Sequence, residues 1–270
     1  MNFLHDSRRF LRSVAVSALI LPFSTASAAL LLDPVGGVIR ASGSTGPADK
    51  DEGTFGTYPF ITPYFGSEPT AGPTITLNGF IRFGDADGPT ADYNLQPLGM
   101  SGASRIAPLW VDLELGASGQ VLEHVGAGES YYAVTWRNMV SVDHPGNLAT
   151  FQAIFFEGAT TLHGIQFNAG DIAFSYGDMS MFPDLNEAVI GVESGGSFAT
   201  IGLLEDTHGV VIPGELGHGD FPVGANEYIH FRADGSGNYD VTIAPIPEPS
   251  SALLAAAGAC IAMVRGRRRP

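Results

Sequence analysis

Short segments of alternating apolar and polar residues, separated by turns rich in glycine and proline, fill the middle of this chain. The clearest pair is residues 74–77 and 80–83, which are joined by Asn78 and Gly79. An Asn-Gly pair between two alternating runs is a strong local signal of a β-hairpin. No interior stretch keeps a helical period. Segments that recur about every ten residues are typical of a sandwich or barrel, so the sequence predicts an all-β, antiparallel, sandwich-like body.

Two longer segments indicate which faces of the sheets are buried. In residues 130–142, Tyr132, Val134 and Trp136 share one face of a strand. In residues 149–156 both faces are partly apolar, so this strand is predicted to be central and buried on both sides. The remaining predicted strands are residues 106–113, 171–176, 188–193, 198–203, 227–231 and 239–243.

The middle of the chain is also strongly acidic and free of cysteine. Between residues 29 and 245, 26 Asp and Glu stand against six Lys and Arg, a formal net charge of −20, and the single cysteine, Cys260, lies beyond this part. Such a charge repels nucleic acid and anionic membranes and suits divalent cations or basic partners, although it also favours solubility. Without disulfides, the body must be held together by its core or by ions.

The amino terminus has the layout of an export signal. Its basic region contains Arg8, Arg9 and Arg12, and its apolar region is residues 14–23. A cleavage site of small residues, Ala26-Ser27-Ala28, follows. We expect a signal-peptide helix that is cleaved after Ala28. Phe10 lies one place too early for a twin-arginine signal, so ordinary Sec export is the favoured route.

The carboxyl terminus combines a short motif, an apolar run and a basic cluster. The motif is Pro247-Glu248-Pro249, and the apolar run is residues 251–264. The basic cluster is Arg265, Arg267, Arg268 and Arg269. The apolar run gives a helix of roughly 21 Å, against a hydrocarbon core of about 30 Å. Snorkelling arginines and the lack of a polar face nevertheless favour a transmembrane helix over about residues 250–264, ahead of a core or amphipathic helix.

This three-part tail resembles the PEP-CTERM sorting signal of Gram-negative bacteria that make exopolysaccharide. The resemblance implies export, transient anchoring in the inner membrane by the C-terminal helix, and cleavage near residues 247–249 by an exosortase as processing partner. Delivery to the cell surface or the extracellular space would follow. The tail says nothing about what the body does.

Several segments of the body match a second pattern. In chain order they are residues 78–84 (Asn-Gly-Phe-Ile-Arg-Phe-Gly), residues 106–112 (Ile-Ala-Pro-Leu-Trp-Val-Asp), residues 134–136 (Val-Thr-Trp), residues 150–152 (Thr-Phe-Gln), residues 172–177 and residues 190–192. They resemble the motifs of nidogen-like (NIDO) extracellular domains, over about residues 53–198. The resemblance implies a matrix or adhesion role without catalysis, with exopolysaccharide or matrix proteins as partners.

Six residues of these motifs are interpreted as determinants of the fold: Asn78, Gly79, Trp110, Asp112, Trp136 and Gln152. Gly79 can take a left-handed turn conformation, and Asn78 tolerates one better than most residues. Large aromatic residues on strands are mostly buried, which is our expectation for both tryptophans, with stacking against a sugar as the alternative. Asp112 is expected to cap or to pair internally, with Arg105 or Arg137 as partner.

Catalytic patterns are missing from the sequence. It contains neither a Gly-x-Ser-x-Gly elbow nor a His-Glu-x-x-His motif, and the histidines of the body fall on separate segments. We therefore expect a non-enzymatic protein. The alternative is a secreted hydrolase that acts on polysaccharide through an unrecognised pair among the many carboxylates.

One acidic loop could bind a metal ion. Asp85, Asp87, Asp92 and Asn94 follow one another on a glycine-rich stretch, and hard oxygen ligands of this kind suit Ca²⁺. Asp49, Asp51 and Glu52 could add further carboxylates. The EF-hand pattern is not followed, and a solvated acidic loop is the favoured interpretation.

The sequence thus predicts five parts in the chain. They are a signal peptide (1–28), a lead segment (29–52), a nidogen-like β domain (53–198), additional strands that complete the body (199–244) and a sorting signal (245–270).

Overall fold

The computed structural model describes most of the predicted body, namely residues 30–56, 65, 72–83, 98, 104–142, 146, 148–179, 188–194, 197–200, 203–205, 211–213, 215–216, 223–224 and 226–247. The predicted terminal helices and the cleavage site at Ala26 and Ala28 lie outside these residues. Among the described residues, no helix has the length and apolar character that a membrane crossing requires.

The first sheet, sheet A, contains eight antiparallel strands. They are β1 (Val38–Ser42), β6 (Leu113–Glu114), β7 (Gln120–Val125), β8 (Tyr131–Ser141), β9 (Leu148–Phe156), β12 (Ile172–Met179), β18 (Glu227–Ala233) and β19 (Tyr239–Pro245). Their order across the sheet is β1-β7-β8-β9-β12-β18-β19, and β6 pairs with β8. The strand predicted to be central, β9, is indeed interior to the sheet and buried on both faces.

The second sheet, sheet B, contains seven antiparallel strands. They are β2 (Thr54–Gly56), β3 (Pro73–Thr76), β4 (Ile81–Phe83), β5 (Ser104–Trp110), β13 (Ala188–Ser194), β14 (Ser197–Ala199) and β17 (Glu215–Leu216). Their order is β14-β13-β5-β4-β3-β2, and β17 pairs with β13. Two separate hairpins are β10 (Thr160–Leu162) with β11 (Ile165–Phe167), and β15 (Leu203–Glu205) with β16 (Val211–Pro213). The described helical structure is one 3-10 turn, Ala127–Glu129.

The two sheets pack face to face over a core to which both contribute, which confirms the prediction of an all-β, antiparallel body. Trp136 on β8 stacks on Phe151 of β9 with ring centroids 5.2 Å apart. The indole nitrogen of Trp136 donates a hydrogen bond of 2.9 Å to the carbonyl of Thr76, across the core on sheet B. Such buried polar links satisfy groups that water cannot reach, and they fix how one sheet lies over the other.

A β-bulge explains how proline is accommodated inside β5. Ala107 and Trp110 are three residues apart on β5, but their partners on β13 are only two residues apart. β5 therefore has one extra residue in the interval that contains Pro108. Proline has no amide hydrogen, and bulges are among the few places where a sheet tolerates it. The hydroxyl of Tyr176, on the opposite sheet, donates a hydrogen bond of 2.8 Å to the carbonyl of Pro108.

The predicted hairpin forms, but its turn differs from the expectation. Ile75 pairs with Ile81, which leaves a loop centred on Leu77, Asn78 and Gly79. Of these residues only Gly79 has a positive φ, of 75°. A three-residue loop that ends in a left-handed glycine is a common alternative to the two-residue turn, and it frees the side chain of Asn78 for another role.

Other boundaries also differ from the prediction. Residues 198–203 were predicted as one strand, but β14 ends at Ala199 and β15 begins at Leu203. Residues 29–52 were set apart as a lead segment, but they contribute β1 to sheet A. The strands β18 and β19 continue sheet A beyond β12.

Candidate functional site

A cluster of three carboxylates lies where the hairpin loop meets the bend between β5 and β6. Asp51, Glu52 and Asp112 each place a carboxylate oxygen within 4.8 Å of the others. Asn78 holds the cluster together: its side-chain amide donates to Glu52 at 3.1 Å, and its side-chain oxygen accepts from the backbone amide of Leu113 at 2.7 Å. The motif residues Asn78 and Asp112 therefore meet at one place and join three segments of chain.

The electrostatics of this cluster disfavour three full negative charges. Burial, and after it the charge of Asp49, raises the pKa of the Asp51 carboxyl, while a hydrogen bond with Asp112 acts in the opposite direction. Carboxylate oxygens are ligands that Ca²⁺ accepts, but a complete calcium site uses about six to eight oxygens. The predicted ligands Asp85, Asp87, Asp92 and Asn94 lie outside the described residues, so calcium binding stays a prediction.

A buried ion pair lies on the outer face of sheet B. Arg105 on β5 pairs with Glu193 on the neighbouring strand β13, and the exposed fractions of the two side chains are 5% and 1%. The guanidinium carbon of Arg105 lies 4.4 Å from the centre of the Trp110 ring, a cation–π distance. Arg105 was one of the two partners suggested for Asp112, and the structure gives it Glu193 as a buried partner.

A second buried carboxylate lies at the end of the core next to β1. Glu123 is 3% exposed and forms an ion pair with Arg40. Its other oxygen accepts a hydrogen bond of 2.5 Å from the hydroxyl of Tyr132. The sequence did not indicate this group, because an isolated Glu on an edge-like segment is usually a surface residue.

The tryptophans offer no exposed ring for a sugar. Trp110 and Trp136 are 1% and 0% exposed. Trp110 packs against Phe80, with ring centroids 4.8 Å apart, on the outer face of sheet B. Neither indole can therefore stack on a saccharide without rearrangement of the body.

Gln152 organises the outer face of sheet A by holding residues 30–32, which we call the N-terminal arm. Its side-chain oxygen accepts from the backbone amide of Leu32 at 3.2 Å, and its side-chain nitrogen donates to the Leu32 carbonyl at 2.8 Å. The side-chain nitrogen also donates to the Thr135 hydroxyl at 2.9 Å, and the side-chain oxygen also accepts from the Ser175 hydroxyl at 3.0 Å. Its two donors and its carbonyl oxygen are thus all engaged, as a buried amide requires.

The arm is anchored at two further points. The hydroxyl of Ser175 accepts from the backbone amide of Leu31 at 3.2 Å, and a ring nitrogen of His163 lies 3.1 Å from the Leu31 carbonyl oxygen. The leucine side chains join an apolar cluster whose buried members are Leu31, Leu32, Ala133, Ile154, Phe156, Phe167, Ala173, Tyr228 and Ile246. We call the surface beneath the arm, formed by the strand and hairpin residues of this cluster with Gln152 and Ser175, the arm groove.

The histidines of the described residues have structural neighbours. His163 contacts the arm, and His230 contacts Asp171 with its Nε2 atom 3.1 Å from a carboxylate oxygen. Within the described part of the chain, no serine or threonine hydroxyl is hydrogen-bonded to a histidine. Among the residues that the structure describes, the pair of His230 and Asp171 is therefore not joined to a hydroxyl that could act as the nucleophile of a hydrolytic relay.

Asp171 makes a testable contribution to the pH dependence of stability. Burial acts to raise the pKa of its carboxyl, but hydrogen bonds from His230 and from the backbone amides of Asn168 and Ala233 outweigh burial and hold that pKa below 3.8. Because folding lowers this pKa, the stabilisation is present above pH 3.8 and is lost as the pH falls through the folded-state pKa. Urea unfolding from pH 7 to pH 2 should show the difference between the natural chain and Asp171→Asn shrinking below about pH 4. The matched control is Asp240→Asn on an exposed position of β19, and a difference of constant size at all pH values would contradict the assignment.

Two antiparallel sheets that enclose a single core, with polar clusters at the loops, define an all-β sandwich domain. The chain belongs to the NIDO-related family, whose family model matches residues 33–210. The nidogen-like resemblance is thereby confirmed, and the match is wider at both ends than the predicted residues 53–198 and includes β1. A match to this family suggests an extracellular β domain. A comparison with curated proteins found no match, and a comparison with solved structures found none either.

Proposed function

We propose that this chain is an exported, non-enzymatic surface or matrix protein of a Gram-negative bacterium. The observation that carries the proposal is the NIDO-related match over residues 33–210, between a signal-like amino terminus and a sorting-like carboxyl terminus. Its strong negative charge suits divalent cations or basic matrix components as contacts.

The route to the surface follows from the tail. An exosortase would act near residues 247–249 while the C-terminal helix holds the protein in the inner membrane. Ile246 is buried and Pro247 is exposed, so the buried part of the described chain reaches the residue directly before the motif. The processed body would then associate with exopolysaccharide or with other matrix proteins.

Cell fractionation with intact-mass measurement tests the sorting step. In a host that carries an exosortase, we expect the natural chain outside the cell with a mass that ends near Pro249. A variant with Pro247, Glu248 and Pro249 replaced by alanine should remain at full length in the inner membrane. The matched control is Ser250→Ala with Ser251→Ala, which changes neighbouring residues and should be processed normally. If the natural chain instead stays in the inner membrane at full length, the protein is a plain anchored protein and the sorting proposal is wrong.

A further inference from the structure

The hairpin loop between β3 and β4 contains a position where the chain can change covalently. We propose that Asn78 is a deamidation site: the fold prevents its conversion to aspartate or isoaspartate, and the conversion, once it has happened, prevents refolding. Asn78 and Gly79 together then turn prolonged unfolding of the body into a one-way event. This behaviour requires neither export nor sorting of the chain.

The reaction consumes water and needs no other reagent. The backbone nitrogen of Gly79 gives up its proton and attacks the side-chain carbonyl carbon of Asn78. A new C–N bond forms, the bond to the side-chain nitrogen breaks, and that nitrogen leaves with the proton as ammonia. Water then opens the resulting succinimide ring. Opening at the former side-chain carbon gives aspartate, and opening at the main-chain carbon gives isoaspartate, in which the backbone runs through the former side chain.

The fold requires both residues of this reactive pair. Gly79 has a φ of +75°, and a Cβ at its position would overlap the carbonyl oxygen of Leu109. Asn78 uses its side chain as donor and acceptor at once, to Glu52 at 3.1 Å and from the Leu113 amide at 2.7 Å. Asparagine is among the thermolabile residues, and a following glycine has neither a side chain to shield its nitrogen nor a restricted backbone. The chain therefore keeps a vulnerable pair that it cannot replace without loss.

The folded loop protects this pair. Asn78 is 0% exposed, so the water that the reaction consumes does not reach it. Attack requires the side-chain carbonyl to turn its face toward the Gly79 nitrogen, and the hydrogen bonds on both side-chain atoms of Asn78 resist that rotation. The backbone is held as well, because the carbonyls of Asn78 and Gly79 accept from the amides of Val111 and Leu109 at 3.3 and 3.4 Å. Conversion therefore waits for an opening of the loop.

The products do not fit the folded loop. An aspartate carboxylate has no N–H to donate, so the hydrogen bond from position 78 to Glu52 becomes a contact between two carboxylates. The added charge joins Asp51, Glu52 and Asp112, whose oxygens already lie within 4.8 Å of one another, and like charges at this range disfavour each other. Isoaspartate also inserts an extra carbon into the main chain, between two carbonyls that are both bonded to the segment of β5 and the bend after it.

Peptide mapping after prolonged unfolding tests the protection. The full-length chain is held in detergent at mildly alkaline pH, with and without guanidinium. Trypsin then releases residues 51–82, in which Asn78 is the single asparagine and glutamine does not occur. The mass gain of this peptide therefore reports Asn78 alone, and methylation by an isoaspartyl methyltransferase identifies the isoaspartate. We expect conversion in the folded chain to be at least about a hundredfold slower than in guanidinium, because it depends on rare opening of the loop.

Refolding tests the second half of the proposal. After dilution of the denaturant, the fraction that regains native circular dichroism should fall in step with the converted fraction. A parallel sample is held in guanidinium at mildly acidic pH, where Gly79 does not readily give up its proton, and it should refold fully.

A pair of variants gives a measurement that needs no unfolding of the natural chain. Asn78→Asp supplies the aspartate product directly, and we expect it to lower the urea midpoint or to abolish folding. The matched control is Asn238→Asp, which makes the same change on the exposed turn between β18 and β19 and should leave the midpoint unchanged.

Two results would overturn the proposal. One is conversion of Asn78 at the same rate in the folded and the unfolded chain, which would show that the fold gives no protection. The other is refolding of the converted chain with the stability of the natural one. If the sample held at acidic pH does not refold, the variants decide this second point, and equal urea midpoints for Asn78→Asp and Asn238→Asp would contradict it.

Discussion

Replacement of Glu193 by alanine is expected to destabilise the body by about 3–5 kcal/mol, because it removes a buried counter-charge of the Arg105 guanidinium. Arg105 is 5% exposed and Glu193 is 1% exposed, so water cannot substitute for the lost carboxylate. The cation–π contact with Trp110 at 4.4 Å offsets only a part of this loss. Urea unfolding followed by tryptophan fluorescence measures the change in the free energy of unfolding.

The double variant Arg105→Met with Glu193→Leu is the matched control. Replacing both charges by apolar side chains of similar volume removes the desolvation cost of the pair, so we expect a much smaller loss of stability than for Glu193→Ala, or none. If the double variant were as unstable as the single one, the pair itself would be the stabilising element. The interpretation that an uncompensated charge causes the damage would then be wrong.

Replacement of Gly79 by alanine is the second large expected effect, a loss of about 2–5 kcal/mol from left-handed strain and overpacking together. Gly79 has a φ of +75°, and a Cβ on it would overlap the carbonyl oxygen of Leu109 and crowd the ring of Phe151. The carbonyl belongs to the backbone of β5 and cannot move without shifting the strand. Thermal and urea unfolding measure the loss.

Gly56→Ala is the control for this substitution. Gly56 lies on β2 with no atom within 4 Å of the position of a Cβ, so its substitution should change stability by only about 0.5 kcal/mol or less. Equal effects at the two positions would mean that glycine content, rather than the close approach at Gly79, sets the stability of this region.

Much of the fold could be predicted from side-chain alternation. Where a strand is central, both faces bury apolar residues, and the pattern in β8 and β9 is therefore strong. Edge strands bury less and carry weaker patterns: β7 was missed because Glu123 and His124 interrupt its apolar run. β1 was missed because Val38, Ile39 and Arg40 are exposed there.

The contacts that join distant segments were harder to predict. Gln152 was recognised as a determinant of the fold from its motif, but its role in holding Leu32 depends on a contact 120 residues away along the chain. The pairing of Arg105 with Glu193 depends in the same way on the register between β5 and β13. The available signal was a charged residue within an otherwise apolar strand. Such a residue indicates burial, but it does not indicate which residue is its partner.

The position of Ile246 has a consequence for how well the body resists proteolysis. Ile246 is 4% exposed, and its backbone amide donates a hydrogen bond of 2.6 Å to the carbonyl of Asn226. At the other end, Leu31 is 1% exposed. A chain trimmed at the two predicted sites would have almost no loose end on either side. Exopeptidases need a free stretch of backbone to grip, so such a chain would resist erosion from its ends in protease-rich surroundings.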